Sequence, residues 1–174
     1  MRGTIVLAFK ELVERDFSEV TWKEALKQCN LSTDKPISPK QNIKDTILYC
    51  IVEKLRELTG LELNKIFDAF GDYWMNVYAP KHYPVFFEYS TYARDFILKV
   101  DCIHQILTTQ FPRSVPPRFS YTWEDDKTLI IEYHSQRHLI DLIPGLIKGT
   151  GRYFDEELEV EKISETKVKV KFKY

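Results

Sequence analysis

The sequence predicts an α+β fold, helical through about residue 111 and built on an antiparallel sheet with further helix after it. Three observations carry this. Apolar residues recur at helical spacing as far as Phe111. The prolines Pro112, Pro116 and Pro117 then break that pattern, and period-two alternation takes over in 118–135 and 167–174. At 174 residues the chain suits one domain spanning 1–174, with an N-terminal helical lobe over about 1–60 and the remainder over about 61–174.

The first helix is read from Ile5, Phe9, Leu12, Val13 and Phe17 on one face, with Lys10, Glu11, Glu14 and Arg15 on the other. A second covers 22–29 behind a cap at Thr21, and 32–41, with Pro36 and Pro39, is a loop. The third spans 43–58 and stops at Gly60, a residue able to take the left-handed conformation that ends helices. A fourth begins near Leu63 and carries the stripe Ile66, Phe67, Phe70, Trp74, Val77 and Tyr78. Gly71 interrupts it at about 1 kcal/mol of helix propensity, which points to bending or close packing.

After Pro80 and Pro84 a helix is expected over 90–111, with Ile97, Val100, His104, Leu107 and Phe111 on one buried face. Beyond the prolines, 118–123 and 128–135 read as a hairpin around the acidic turn 124–127. A helix follows over 139–148 despite Pro144. The segment 157–163 then pairs with 167–174, where Val168, Val170, Phe172 and Tyr174 alternate with four lysines. Those lysines read as protection of a sheet edge.

Composition narrows function. The chain is 44% hydrophobic and 14% aromatic, enough to bury a core and line a cavity for a flat apolar ligand. With 25 basic and 26 acidic residues, no global field steers it to nucleic acid or to an anionic membrane. Cys29, Cys50 and Cys102 are odd in number, widely spaced and lack a CxxC pair. They indicate neither a disulfide framework nor a zinc ribbon, and a reducing cytoplasm fits them. The apolar run near the N-terminus is too short for a membrane span and has no small-residue cleavage site.

Two features carry chemistry. His104 lies mid-stripe on an apolar helix face, where a histidine is either a hydrogen-bonded core residue or a metal ligand. A single neutral imidazole from a helix suits five-coordinate haem, whose other iron face stays open to a diatomic gas. In Tyr133-x-Ser135-x-Arg137, alternate strand residues would place two hydroxyls and a guanidinium on one side. That set suits carboxylates such as the two propionates of a porphyrin. By contrast, His134 and His138 straddle a strand end and read as exposed, and Cys102 faces away from His104 on the helix.

With Met1-Arg2-Gly3-Thr4-Ile5 at the start, His104, Pro116-Pro117, the YxSxR motif, Gly145-Leu146 and the terminal hairpin, the chain resembles the H-NOX family over essentially its full length. These are haem nitric oxide/oxygen binding domains, related to the haem region of soluble guanylate cyclase. The resemblance implies haem b (iron protoporphyrin IX) held between two lobes, with His104 as the proximal iron ligand. Tyr133, Ser135 and Arg137 would bind the propionates, and Pro117 would press on the porphyrin and distort it. Ile5, Phe9, Trp74, Tyr78 and Leu146 fall at distal and haem-packing positions, and Gly71 near a flexible joint.

The family's oxygen-binding members carry a distal tyrosine nine residues after the motif tyrosine, and that position here is Leu142. A distal hydrogen-bond donor favours oxygen, whereas nitric oxide binds ferrous iron without one. The expected ligands are therefore NO and CO rather than O₂, although Trp74 and Tyr78 also carry donors. The expected role is a non-enzymatic gas sensor. Loss of the His104 bond would relax the distortion around Ile5 and Pro117 and shift one lobe against the other. A separate effector, a histidine kinase or a cyclic-di-GMP enzyme, would read the change. The alternatives are an oxygen-binding haem sensor and a haem-free small-ligand or interaction module on the same fold.

Overall fold

The computed structural model describes residues 2–111 and 115–173; Met1, Pro112 and Tyr174, used in the sequence reading, lie outside them. The elements are α1 (Gly3–Asp16), α2 (Glu19–Gln28), α3 (Asp45–Thr59), α4 (Leu63–Tyr73), a π-helical turn (Trp74–Tyr78), α5 (Ala79–His82) and a 3₁₀ turn (Pro84–Phe86). There follow α6 (Ala93–Gln110), β1 (Arg118–Trp123), β2 (Thr128–His134), a second 3₁₀ turn (Ile140–Leu142), α7 (Ile143–Tyr153), β3 (Glu159–Lys162) and β4 (Lys167–Lys171). The fold is α+β, with a four-stranded antiparallel sheet. The chain divides into two compact units, Met1–Ile66 and Phe67–Tyr174.

In the first unit α1, α2 and α3 bury Phe9, Leu12, Val13, Trp22, Leu48 and Ile51. Phe17 is exposed, because α1 ends at Asp16 and the backbone leaves helical geometry at Phe17 itself. The cap of α2 is Ser18 rather than Thr21. Ser18 is extended, and its Oγ accepts the Thr21 N–H at 3.1 Å, so Thr21 is already the third helical residue. Gly60 ends α3 at φ 69°, in the left-handed region.

A disulfide joins Cys29, at the C-terminal cap of α2, to Cys50 on α3, with Cα atoms 5.9 Å apart. The expectation of no disulfide is thus corrected. Cysteines 21 residues apart show no sequence motif, and the packing of α2 on α3 is what brings them together. The inference of a reducing compartment loses its basis with it. No helix among the described residues is long and apolar enough to cross a membrane.

In the second unit the strands run in the order β1-β2-β4-β3. Leu129, Ile131, Tyr133, Val168, Val170 and Phe172 bury one face of the sheet, together with Ala93 and Ile97 of α6 and Ile143 and Ile147 of α7. β4 is therefore interior, and its lysines guard no edge; β1 and β3 are the edges. The lysines instead form ion pairs: Lys167 with Glu132 of β2 and Lys171 with Glu159 of β3, both at 3.9 Å, Lys169 with Glu124 after β1 at 2.8 Å, and Lys173, beyond β4, with Glu157.

α6 starts at Ala93, whose amide donates to Glu156 Oε1 at 3.0 Å. Only the beginning of its apolar stripe is fully buried, at Ala93, Phe96 and Ile97; Val100, His104, Leu107 and Phe111 are half-buried. Pro144 is accommodated because it sits in the first turn of α7, where its missing N–H would have no partner.

Gly71, Gly145 and Gly149 are where α4 and α7 cross. A Cβ on Gly71 would lie 2.1 Å from the Gly145 carbonyl, one on Gly145 2.2 Å from Phe67 O, and one on Gly149 2.3 Å from Gly71 O. Three polar links flank the crossing: Asp68–Lys148 at 3.2 Å, Asp72–Arg152 at 2.5 Å, and Asn76 Nδ2 donating to Gly149 O at 3.2 Å. Gly71 therefore serves close packing. Immediately after it the helix widens into the π-helical turn, which shifts the phase of the apolar stripe. Tyr73 and Met75 become buried, and Val77, expected on the buried stripe, is exposed.

The crossing makes Gly71→Ala a severe change. It should lower unfolding free energy by about 3 kcal/mol or more through overpacking against backbone. Gly60→Ala, strained but with nothing within 4 Å, should cost only about 1 kcal/mol. Urea unfolding midpoints of the two variants would check this order.

Candidate functional site

The second unit joins the two chemically marked segments through one helix face and one strand. Residues 97, 101 and 104 of α6 follow helical spacing and share a side of the helix, and each engages the chain at the start of β1. The Ile97 carbonyl accepts the Tyr121 hydroxyl at 2.8 Å. Asp101 accepts Arg118 Nε at 2.7 Å and Phe119 N at 2.8 Å on Oδ1, and Arg118 Nη2 at 2.6 Å on Oδ2. His104 Nδ1 lies 2.7 Å from the Pro117 carbonyl oxygen.

A carbonyl can only accept, so Nδ1 carries the proton and Nε2 of the neutral ring keeps its lone pair. Burial pushes the His104 pKa below its ordinary value, outweighing the opposing pulls of the Pro117 carbonyl and the Asp101 carboxylate. The imidazole is thus held neutral and in one tautomer. This is the state a histidine needs to bind a metal through Nε2, with a backbone carbonyl as its outer partner.

The His104 ring packs against Phe119, centroids 5.6 Å apart, and Phe119 against Tyr133 at 5.8 Å. Phe119 therefore links the helical histidine to the YxSxR segment. Tyr133 is buried near the end of β2, and its hydroxyl accepts the Leu139 N–H at 3.3 Å, leaving its own proton for donation.

Ser135 and Arg137 depart from expectation: β2 ends at His134, and both residues stand in the following turn. There Ser135 Oγ accepts the Arg137 amide at 3.2 Å, and His138 takes a positive φ of 52°. Strand alternation therefore stops short of Ser135 and Arg137, which follow Tyr133 in a turn. His134 is exposed as expected, with Nε2 2.9 Å from Ser120 Oγ.

The aromatic pair Trp74 and Tyr78 lies on the π-helical turn, rings stacked with centroids 5.3 Å apart. Tyr78 is buried and also contacts His82, centroids 4.3 Å apart. Leu146 is half-buried on α7 against the sheet core, and Leu142 is buried in the 3₁₀ turn before it. In the first unit, Phe9 is fully buried and Ile5 half-buried on α1.

The profile of the family described as haem-NO-binding matches residues 2–162. The chain belongs to the haem-NO-binding family. Solved H-NOX structures agree throughout its length. A Cs H-NOX variant carrying 4-cyano-L-phenylalanine is 27% identical with a TM-score of 0.89, the match covering 100% of this chain and 97% of that one. An oxygen-binding H-NOX domain related to soluble guanylate cyclases, in its oxygen complex, is 27% identical at a TM-score of 0.83, covering 100% and 96%. A single-site variant of the T. tengcongensis H-NOX gives 27% and 0.83, covering 100% and 98%.

H-NOX domains are haem-based gas sensors that act on partner effectors and are not themselves catalysts. The donor set of this chain fits the cofactor: one neutral histidine with its Nε2 lone pair, and a tyrosine, a serine and an arginine close in sequence for carboxylates. Sequence reasoning missed Asp101, Arg118 and Phe119. An acidic residue one helical turn before His104 was the available signal for Asp101; its partners are known only once β1 is placed.

The same contacts predict a pH dependence. The Arg118 guanidinium first, then the Phe119 amide, holds Asp101 down to about 2 against the opposing effect of burial. A carboxylate depressed on folding contributes stability that is present above its unfolded pKa of about 4 and is lost as pH falls through about 2. Asp101→Asn should therefore remove about 2 kcal/mol of the acid-dependent loss over that window. Unfolding free energies of both proteins between pH 5 and 2 would reveal the flatter slope.

Proposed function

We propose that this H-NOX domain is a nitric oxide sensor that holds haem b through His104 and signals to a separate effector. The observation that carries this reading is the hydrogen bond from His104 Nδ1 to the Pro117 carbonyl, which leaves Nε2 as the lone-pair nitrogen. When bound, the haem iron supplies a coordination position that a diatomic gas can occupy.

The chain's residues divide the remaining work. Arg137 offers paired N–H donors to a propionate, and Tyr133 and Ser135 add directional hydroxyl contacts that fix the macrocycle's rotation. Pro117 gives its carbonyl to His104, and its ring would press on a bound porphyrin. Trp74, Tyr78 and Leu146 would supply apolar packing. His104 would tie a bound haem to α6, and an effector such as a histidine kinase or a cyclic-di-GMP enzyme would respond to a change in α6 if it binds the two states with different affinity.

Selectivity for NO and CO over O₂ rests on Leu142, which has no polar atom on its side chain. A second reading, oxygen binding, draws on the Trp74–Tyr78 stack, which carries an indole N–H and a phenol, and on the oxygen complex of the relative described above.

Absorption spectra of the anaerobically reduced protein, recorded before and after addition of NO, CO or air, separate these readings. NO and CO complexes without a stable O₂ complex are expected. A stable O₂ complex would transfer the case to the second reading, and failure to take up haem on reconstitution would end both.

His104→Gly should abolish the five-coordinate ferrous spectrum and recover it with added imidazole; an unaltered spectrum would remove His104 as ligand. Arg137→Ala should speed haem loss to apomyoglobin by about tenfold, equivalent to one charge-assisted hydrogen bond, while NO affinity stays nearly constant. The reverse order of effects would contradict its propionate role.

A further inference from the structure

The Asp101 carboxylate bridges helix and strand one helical turn before His104. Its two oxygens take both an Arg118 fork and the Phe119 amide, at 2.6 to 2.8 Å. The Pro117 carbonyl belongs to the peptide that enters Arg118. Asp101 thus grips the chain immediately after that carbonyl, by a side chain and by a backbone N–H. The Tyr121 hydroxyl on the Ile97 carbonyl fixes the same strand one turn further along the helix.

We propose that Asp101, through Arg118 and Phe119, is a positioning residue for His104: it fixes the Pro117 carbonyl against Nδ1 and so decides which imidazole nitrogen is left to bind iron. The part concerning the iron rests on the functional reading above; the part concerning the tautomer does not. A neutral imidazole has one N–H and can place it on either nitrogen. With the carbonyl at 2.7 Å the proton belongs on Nδ1. With the carbonyl free to swing away, the ring loses the contact that selects this tautomer. In the haem-loaded protein the same contact draws electron density toward Nε2, because a strong acceptor at Nδ1 makes a more basic ligand.

Three variants test this: Asp101→Ala, Asp101→Asn, which keeps an oxygen for the Phe119 amide, and Arg118→Met, which leaves the carboxylate in place. In the haem-free full chain, nitrogen-15 shifts of the His104 ring give the tautomer ratio. Asp101→Ala should reduce the Nδ1–H to Nε2–H ratio about fivefold, the equivalent of one ordinary hydrogen bond. Arg118→Met should act in the same direction, and Asp101→Asn should be milder than Asp101→Ala. The double variant should fall no further than Asp101→Ala, because both changes cut one network.

In the reduced haem-loaded protein, Asp101→Ala and Arg118→Met should move the iron–histidine stretching band to lower frequency. A folded Asp101→Ala or Arg118→Met variant with the parental tautomer ratio would overturn the proposal, even if its melting temperature fell, because lower stability alone marks a merely structural contact. Should Asp101→Ala fail to fold, Arg118→Met decides by the same criterion. If the parent chain takes up no haem, the functional reading fails while the tautomer ratios still decide the positioning role.

Discussion

The docking of α6 on the start of β1 is the constraint from which the chemistry of the second unit follows. Three positions on one helix face, 97, 101 and 104, meet a short run of chain, 117–121: a backbone carbonyl takes a phenol, a carboxylate takes a guanidinium and an amide, and an imidazole meets a carbonyl. The neutral bonds here are modest, since a hydrogen bond exchanged with water nets about 1 kcal/mol. Their common direction is what matters. Each restricts the same strand relative to the same helix, so the imidazole at the end of the series meets its carbonyl with little freedom left. The partly buried carboxylate strengthens the arrangement, because its bonds to Arg118 and the Phe119 amide are charge-assisted.

A second constraint, set by size rather than charge, shapes the other side of this unit. Gly71, Gly145 and Gly149 allow backbone to meet backbone between α4 and α7, and any side chain there would overlap main-chain atoms. The crossing leads directly into the π-helical turn, so the rigid contact and the shift in helical phase are neighbours in sequence. Trp74 and Tyr78 stack on that turn. Trp74 and Tyr78 therefore stand on an anchored helix rather than on a loop.

Much of the architecture was legible from period alone. The termination of α3 at Gly60, the hairpin β1–β2 and the antiparallel pairing of β3 with β4 all depend on local rules: a left-handed cap, alternation, and turn residues between apolar runs. The errors occurred where neighbours intervene. β4 resembled an edge strand because lysines alternate along it, yet β2 and β3 flank it and supply the glutamates those lysines meet. The same alternation predicts a strand through Ser135 and Arg137, but β2 stops at His134 and both residues lie in a turn in which Ser135 Oγ accepts the Arg137 amide. A period of 3.6 puts Val77 on a buried stripe, but the π-helical turn does not keep that period and Val77 is exposed.

By itself, the sequence determined the α+β class, the order of the main helices and strands, and the two residue sets on which the family resemblance rests, His104 and the YxSxR motif. These depend on composition, spacing and local backbone preference, all carried by contiguous residues. Only the tertiary structure decided which nitrogen of His104 bears the proton, that Asp101 and Arg118 stand behind it, that β4 is interior, and that Cys29 meets Cys50. Each of those outcomes depends on groups distant in sequence coming within a few ångströms, and periodicity along a chain carries no record of such distances.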